Sequence, residues 1–310
     1  MLRPPEEGLS LDAVRRGGKA GLARALARIE QAPDAPATTA LLDAAYRAAR
    51  AATIGLTGPP GVGKSTLIAT LIDAWRSAGR TVGVIAVDPS SKISGGALLG
   101  DRTRLRTDPA DAGVFVRSMA ARDRLGGIAD LTLAAMVLMR ALFDLVLIET
   151  VGVGQSETDV ATIADTIVLC VQPGSGDSLQ FMKAGLFEMP HIIVVTKTDM
   201  GAAASRAEAE LAAALGLAER SREEGPVELI GASARSGDGI AALVAAIDRH
   251  HRLIGPTLEV RRHDQAQEWV AGAVKERWGS VGLGRAGPLR FAPAVSPFAA
   301  LAAISRRFAE

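Results

Sequence analysis

A single cysteine, Cys170, stands in a chain of 310 residues, so no internal disulfide forms and a reducing cytoplasm is the expected setting. It lies mid-strand in "TIVLCVQ" and reads as a small core residue rather than a nucleophile. Histidine is scarce too: there are four, and only His250 and His251 adjoin. Their place near the end of "ALVAAIDRHH" suits a favourable interaction with a helix C-terminus. A metallocentre-assembly protein would want a His-rich tract or a Cys/His cluster, and neither is present in the sequence. Long apolar runs are also missing. "LVLI" and "IVLCV" fall far short of the roughly 18 residues that span a bilayer. The opening "MLRPPEEGLS" has no apolar signal core and no Arg/Ser-rich transit character. Charge of one sign is not in excess, with 35 Lys+Arg against 34 Asp+Glu, which argues against a nucleic-acid or anionic-membrane binder.

What is present is alternation. Residues 9–50 carry helical spacing, with Leu11, Val14, Leu22, Leu26 and Ile29 near one face of "LDAVRRGGKAGLARALARIEQ". From residue 53, short β-rich runs alternate with helical stretches: "TIGLTG", "TVGVIAV", "GVFVRSM", "DLVLIET", "DTIVLCVQ", "HIIVVTK" and "VELIGAS". Near-continuous apolar strands separated by helices predict a doubly wound, mostly parallel α/β sheet buried on both faces. Three segments follow: an N-terminal helical extension over 1–50, an α/β domain over 51–254 and a C-terminal helical arm over 255–310. In the arm, "LIGPTLEV" reads as a break, "RRHDQAQEWVAGAVKERW" as an amphipathic helix, and "GLGRAGP" and "FAPAVSPF" as loops before a short last helix.

"GPPGVGKST", residues 58–66, satisfies G-x-x-x-x-G-K-[ST] between a strand and a helix, the setting that a phosphate loop needs. Gly58, Gly61 and Gly63 let the backbone turn its N–H groups inward, with Val62 and Thr66 completing the cradle, and the helix N-terminus adds positive potential. Lys64 would bridge the outer phosphates of a nucleoside triphosphate, and the Ser65 hydroxyl would ligate Mg²⁺. Acids at strand ends extend the constellation: Glu149 closes "DLVLIE", Asp88 follows "TVGVIAV", and Asp101 sits in "LLGDRTR". Glu149-Thr-Val-Gly152 occupies the place of an Asp-x-x-Gly switch, where the Gly152 N–H can sense a γ-phosphate. Gln155 is either a water-orienting residue or a switch-packing side chain. Arg102, Arg104 and Arg122 are further charge contributors.

"VVTKTD" then ends in Thr196-Lys197-Thr198-Asp199, where guanine-nucleotide proteins usually carry Asn-Lys-x-Asp. Asp199 can accept from N1–H and the exocyclic amine of guanine, a pattern adenine does not offer, while Lys197 would lay its stem along the base. Thr196 keeps one donor and one acceptor but loses the amide. "GASARSG" supplies a companion loop, Ser233-Ala234, whose backbone N–H can reach guanine O6. The expected cofactors are GTP/GDP and Mg²⁺.

"VDPSS", "LGDRTR", "VFVRSMAARDRLGGIA", "ETVGVGQSE" and "PGSGDSLQ" together resemble the MeaB/ArgK family, the methylmalonyl-CoA mutase-associated GTPases, and the resemblance runs through nearly the whole chain. It implies a P-loop G domain of the signal-recognition-like class with helical terminal extensions, the last a dimerisation arm that makes a homodimer. It also implies a chaperone whose GTP cycle gates cobalamin delivery to an adenosylcobalamin-dependent acyl-CoA mutase and protects or reactivates it, with a cobalamin adenosyltransferase as a further partner. By motif, Asp88, Asp101 and Glu149 would surround Mg²⁺, and Asp177 and Lys183 in "QPGSGDSLQFMK" would couple nucleotide state to the partner. Thr196 and "FMKAGLFEMPHI" depart from the family pattern, which points to a divergent branch serving a related mutase. A P-loop kinase is the remaining alternative, but no phosphate-accepting pocket is marked in the sequence. Trp269 and Trp278, on one stripe of the arm, suit either packing against their own G domain or a second subunit, and the resemblance favours the second subunit.

Overall fold

The computed structural model describes residues 9–89, 107–121, 130–150, 160–174, 190–218 and 225–309. The chain divides into two compact units, Ala52–Ile128 with Asp144–Leu258, and Met1–Ala51 with Ala129–Phe143 and Glu259–Glu310. The two terminal segments therefore share one unit.

The first unit is built on a sheet. Among the described residues its strands are β1 (Ala52–Thr57), β2 (Val82–Pro89), β3 (Val114–Ala121), β4 (Leu145–Glu149), β5 (Thr166–Val171), β6 (Ile192–Val195) and β7 (Glu228–Gly231). They lie in the order β3-β2-β4-β1-β5-β6-β7, and all pairs are parallel. Its described helices are α4 (Lys64–Ser77), α6 (Ala202–Ala218) and α7 (Ile240–Ile254).

Both faces of the sheet are buried, and strand alternation divides the side chains between them. Val168, Cys170, Ile192 and Val194 join Leu67, Leu71 and Trp75 of α4 and Leu243 and Ile247 of α7 in one core. Their neighbours Leu169, Val171, Ile193 and Val195 turn the other way, onto Leu211 and Leu215 of α6. This is why the strands read as unbroken apolar runs. Polar staples pin the N-terminal edge: the Thr53 N–H donates to buried Asp165 at 2.7 Å, and the Thr81 N–H and hydroxyl donate to Asp144 at 2.8 and 2.7 Å. Because every strand is parallel, β1, β4, β5, β6 and β7 all end at the opposite edge, where ligands bind in open α/β sheets.

The second unit is helical in its described residues, comprising α1 (Leu11–Arg16), α2 (Gly18–Gln31), α3 (Pro36–Arg47), α5 (Asp130–Arg140), α8 (Leu258–Ala286) and α9 (Pro297–Ala309). The Ser10 hydroxyl caps α1 by accepting from the Ala13 N–H at 3.2 Å. Leu11, Val14, Leu22, Leu26 and Ile29 are all buried, as their spacing predicts. The arm differs from its sequence reading. Helical residues continue through "GLGRA", past a kink at Gly279 with φ 70° and ψ −174°, where a loop is expected. The kink lets Trp278 meet Phe308 edge-on at 5.0 Å, while Trp269 lies 5.4 Å from Phe298. Both tryptophans thus pack against α9 of their own chain, around Val270, Val274, Leu301 and Ile304. Among the described residues no helix is long and apolar enough to cross a membrane.

Candidate functional site

The phosphate loop joins the end of β1 to the start of α4. Gly58, Gly61 and Gly63 have φ of 135°, 77° and 102°, in the region that side chains on L-residues avoid. At Gly58 the need is also steric, because a Cβ would run into the carbonyl oxygen of Cys170 on β5. The cradle is therefore formed by backbone alone. Val62 is fully buried beneath it. Lys64 is buried as well, and its ammonium donates to the carbonyls of Gly58 at 2.6 Å and Pro59 at 3.1 Å, stretched across its own loop. Thr66 follows in the first turn of α4, its carbonyl accepting from the Thr70 hydroxyl at 3.1 Å.

The β4 end meets this loop directly. In the sheet Leu56 stands opposite Glu149, and the Ser65 hydroxyl donates to Glu149 Oε1 at 2.7 Å. A serine hydroxyl beside a buried carboxylate at a helix N-terminus is an all-oxygen set, which suits Mg²⁺. Thr150, which the sequence reading did not single out, ties the two strand ends: its N–H donates to Leu56 O at 3.1 Å and its hydroxyl to Thr57 Oγ1 at 3.2 Å. Behind the loop, burial pushes the Cys170 thiol up to about 12; the Lys64 ammonium opposes that shift and the Glu149 carboxylate adds to it. Cys170 is a core residue.

The Thr196–Asp199 loop, expected to read the base, adjoins from β6. Thr196 is buried, and its hydroxyl lies 2.8 Å from Val62 O and 3.1 Å from Val171 O. The loop-tying role expected of an asparagine is thus carried by a threonine. Lys197 has φ 56° and is the one non-glycine residue with positive φ among those described. Its ammonium donates to Gly61 O at 2.9 Å and to Gln172 Oε1 at 2.6 Å. Asp199 is exposed, with one carboxylate oxygen accepting from the Ser233 hydroxyl at 2.8 Å. Ser233 Oγ in turn accepts from the N–H groups of Arg235 and Ser236, and Ala234 O accepts from the Thr70 hydroxyl at 3.4 Å. Gly58 through Thr66, Glu149, Thr196, Lys197, Asp199, Ser233 and Ala234 are therefore gathered at one sheet edge. Asp88 is the last residue but one of β2, which ends at Pro89 near that edge, but its side chain lies outside what is described, as do Asp101, Gly152, Gln155, Asp177 and Lys183, and Arg102, Arg104 and Arg122.

The histidine pair lies near the C-terminus of α7, with His251 in its last turn, and His250 has a packing role besides. His250 is buried, with Nδ1 2.8 Å from Thr166 Oγ1 and its ring 4.1 Å from that of His191, whose Nδ1 accepts from the Ile167 N–H. Among the described residues no group of three or more His, Cys, Asp or Glu is placed to hold a metal ion.

A family model described as "Methylmalonyl Co-A mutase-associated GTPase MeaB" matches residues 22–281. The chain belongs to the MeaB family of GTPases. It is 42% identical over 232 residues to a putative GTPase of Pyrococcus horikoshii, covering 72% of this chain and 73% of that protein. It is 40% identical over 228 residues to the "methylmalonic aciduria type A homolog, mitochondrial" of Mus musculus, covering 72% of this chain but 55% of the mouse protein. A crystal structure of a LAO/AO transport system kinase superposes over 100% of both chains with TM-score 0.70 and 26% identity. The phosphate loop, the Ser65–Glu149 pair and the Thr196–Asp199 loop lie together at one edge of the sheet in this MeaB-family chain.

Proposed function

We propose that this protein binds GTP with Mg²⁺ and hydrolyses it to GDP and phosphate. In this reading the change of bound nucleotide gates cobalamin loading of an adenosylcobalamin-dependent acyl-CoA mutase of the methylmalonyl-CoA mutase type, which the protein protects or reactivates. The observation that carries the GTP reading is the exposed Asp199 carboxylate, held by Ser233 at the mouth of a phosphate loop that Thr196 ties to the same strand end. A carboxylate there accepts from both donors of guanine's N1 edge and leaves adenine's edge unmatched. The mutase role rests on membership of a family of methylmalonyl Co-A mutase-associated GTPases.

Lys64 and the N–H groups of the loop would carry the charge that develops on the transferred phosphoryl oxygens. Ser65 and Glu149, with Asp88 and Asp101, would hold Mg²⁺, which would supply positive charge to offset that of the phosphate. Gly152 and Gln155 would sense the γ-phosphate and orient water, and Asp177 and Lys183 would pass the nucleotide state to the mutase. Turnover alone would be slow, because a partner in trans contributes about 10³–10⁵-fold in other GTPases. A homodimer built through the C-terminal arm, a cobalamin adenosyltransferase as second partner, and a reducing cytoplasm complete this reading.

The deciding experiment is competition of GTP, GDP and ATP for the purified protein, beside Asp199→Asn tested with xanthosine nucleotides. Guanine preference that turns towards xanthine in the variant supports the base assignment; equal binding of ATP refutes it. Single-turnover hydrolysis with and without a purified methylmalonyl-CoA mutase tests the chaperone role, and an unchanged rate together with no complex in sedimentation counts against it.

A further inference from the structure

Gln172 is the first residue beyond β5 and opens the "QPGSGDSLQFMK" stretch, in which only Asp177 and Lys183 have been given a role. Its carbonyl oxygen accepts from the Lys197 ammonium at 2.6 Å, while the same ammonium donates to Gly61 O at 2.9 Å. Three segments therefore converge on one charged group: the phosphate loop, the end of β5 and the end of β6. Sheet register makes this possible, because Val171 pairs with Val195 and the residues that follow leave the sheet side by side.

Lys197 needs such support for two reasons. It occupies left-handed space at φ 56°, which is disfavoured for a residue with a Cβ. It also has a long, rotamer-rich side chain that loses entropy when pinned. Its neighbour Thr196 does not help, because the one hydroxyl proton is directed to Val62 O and Val171 O. Asparagine, the usual residue there, brings an amide; Thr196 does not, and the amide nearest the lysine comes from the adjacent strand.

We propose that Gln172 is a positioning residue for guanine: it supplies from β5 the amide that Thr196 lacks, and presets the Lys197 stem for the purine face. This rests on the guanine-reading assignment of Lys197 and Asp199. Because Lys197 would grip the base, which GTP and GDP share, the effect of Gln172 falls on nucleotide affinity and not on discrimination between phosphorylation states. Preorganisation of this kind acts by removing the ordering penalty at binding.

The test uses the full chain and four proteins: Gln172→Met, Gln172→Glu, Lys197→Met and the double variant Gln172→Met/Lys197→Met. Dissociation constants for GDP and GTP are measured alongside steady-state hydrolysis. Loss of one hydrogen bond to a charged group predicts about a tenfold weakening of GDP and GTP alike in Gln172→Met. The same factor appears in KM, with kcat moving far less. Gln172→Glu, which retains an acceptor, keeps most of the affinity. In the Lys197→Met background, removing Gln172 adds nothing. Additive losses in the double variant overturn the proposal, as does a lowered melting temperature with unchanged affinity. Absence of guanine preference in the wild-type protein overturns both this proposal and the base assignment; additive losses with wild-type selectivity intact overturn this one alone.

Discussion

Replacing Thr196 by valine removes one hydroxyl and changes almost no volume, so it isolates what that oxygen does. In the native protein the hydroxyl lies within hydrogen-bonding distance of Val62 O and Val171 O, and the residue is 5% exposed. Val171 O also accepts the Thr196 N–H at 2.8 Å, so it stays satisfied in the variant. Val62 O loses its tie to β6. A net hydrogen bond is worth about 1 kcal/mol, and desolvating an acceptor left without a partner costs a further 1–3 kcal/mol or so. The added methyl recovers about 0.8 kcal/mol. Thr196→Val should therefore destabilise the α/β unit by about 1–3 kcal/mol. For a unit of this size that is a fall of roughly 2–12 °C in melting temperature. Val62 is part of the phosphate loop, so GDP affinity should drop about fivefold with it. Thr196→Ser keeps the hydroxyl and should stay within about 1 °C of wild type once its lost methyl is allowed for. The measurements are thermal unfolding by circular dichroism and GDP titration on all three proteins. If valine matches wild type in both, or serine falls as far as valine, the hydroxyl does not tie the loops and this reasoning is wrong.

Three other outcomes are expected. Gly58→Ala should abolish nucleotide binding and lower stability by about 2 kcal/mol or more, because φ is 135° and the new methyl meets the Cys170 carbonyl; GDP titration and thermal unfolding read both effects. Ser65→Ala should bring GTP affinity in Mg²⁺ down to its value in EDTA, and Glu149→Gln should slow single-turnover hydrolysis about 100-fold. The Cys170 thiol, raised to about 12 in the fold against 9.0 ordinarily, remains protonated when the unfolded chain would already release its proton. Its contribution to stability is then full below about pH 9 and declines by about 1.4 kcal/mol per pH unit between 9 and 12. Denaturant melts of wild type and Cys170→Ala from pH 7 to 10.5 should therefore diverge in slope above pH 9, and parallel slopes would refute the assignment.

Much of this arrangement is legible in the sequence because the physics is local. The phosphate loop needs glycine wherever φ turns positive, and the spacing of Gly58, Gly61 and Gly63 announces it. Parallel strands buried on both faces must be apolar throughout, so "DLVLIE" and "TIVLCVQ" declare themselves and place Glu149 and Gln172 at their ends. What is not legible is pairwise. His250 looks like a helix-end residue until β5 brings Thr166 to its Nδ1, a contact between strand and helix that no periodicity encodes. Gln172 looks like a loop residue until β5 and β6 pair and set it beside Lys197. In the arm, the glycines of "GSVGLGRAGP" read as loop, but helix resumes after the kink at Gly279, and Gly282 sits against Trp278 and Phe308. In each case tertiary packing overrides a local signal.

The contacts at the nucleotide edge also explain why a threonine can stand where asparagine is usual. Three carbonyls need holding there, those of Gly61, Val62 and Val171, and they belong to two different segments. One amide side chain can serve several such partners, whereas a hydroxyl has one proton to give. In this chain the work is divided: Thr196 takes Val62 and Val171, Lys197 takes Gly61, and Gln172 holds Lys197. Under the proposed function this division would join base recognition to phosphate grip, since Lys197 touches the phosphate loop and the residue after β5 at once. A residue that sets the lysine therefore sets both halves of the site, and substitutions at 172 and 196 should be non-additive where their partners are shared. A double-mutant cycle between Thr196→Val and Gln172→Met, read as GDP affinity, should give a coupling energy of about 0.5–1.5 kcal/mol. Strict additivity would mean that the two ties act on separate parts of the loop, and that threonine alone accounts for the lost asparagine.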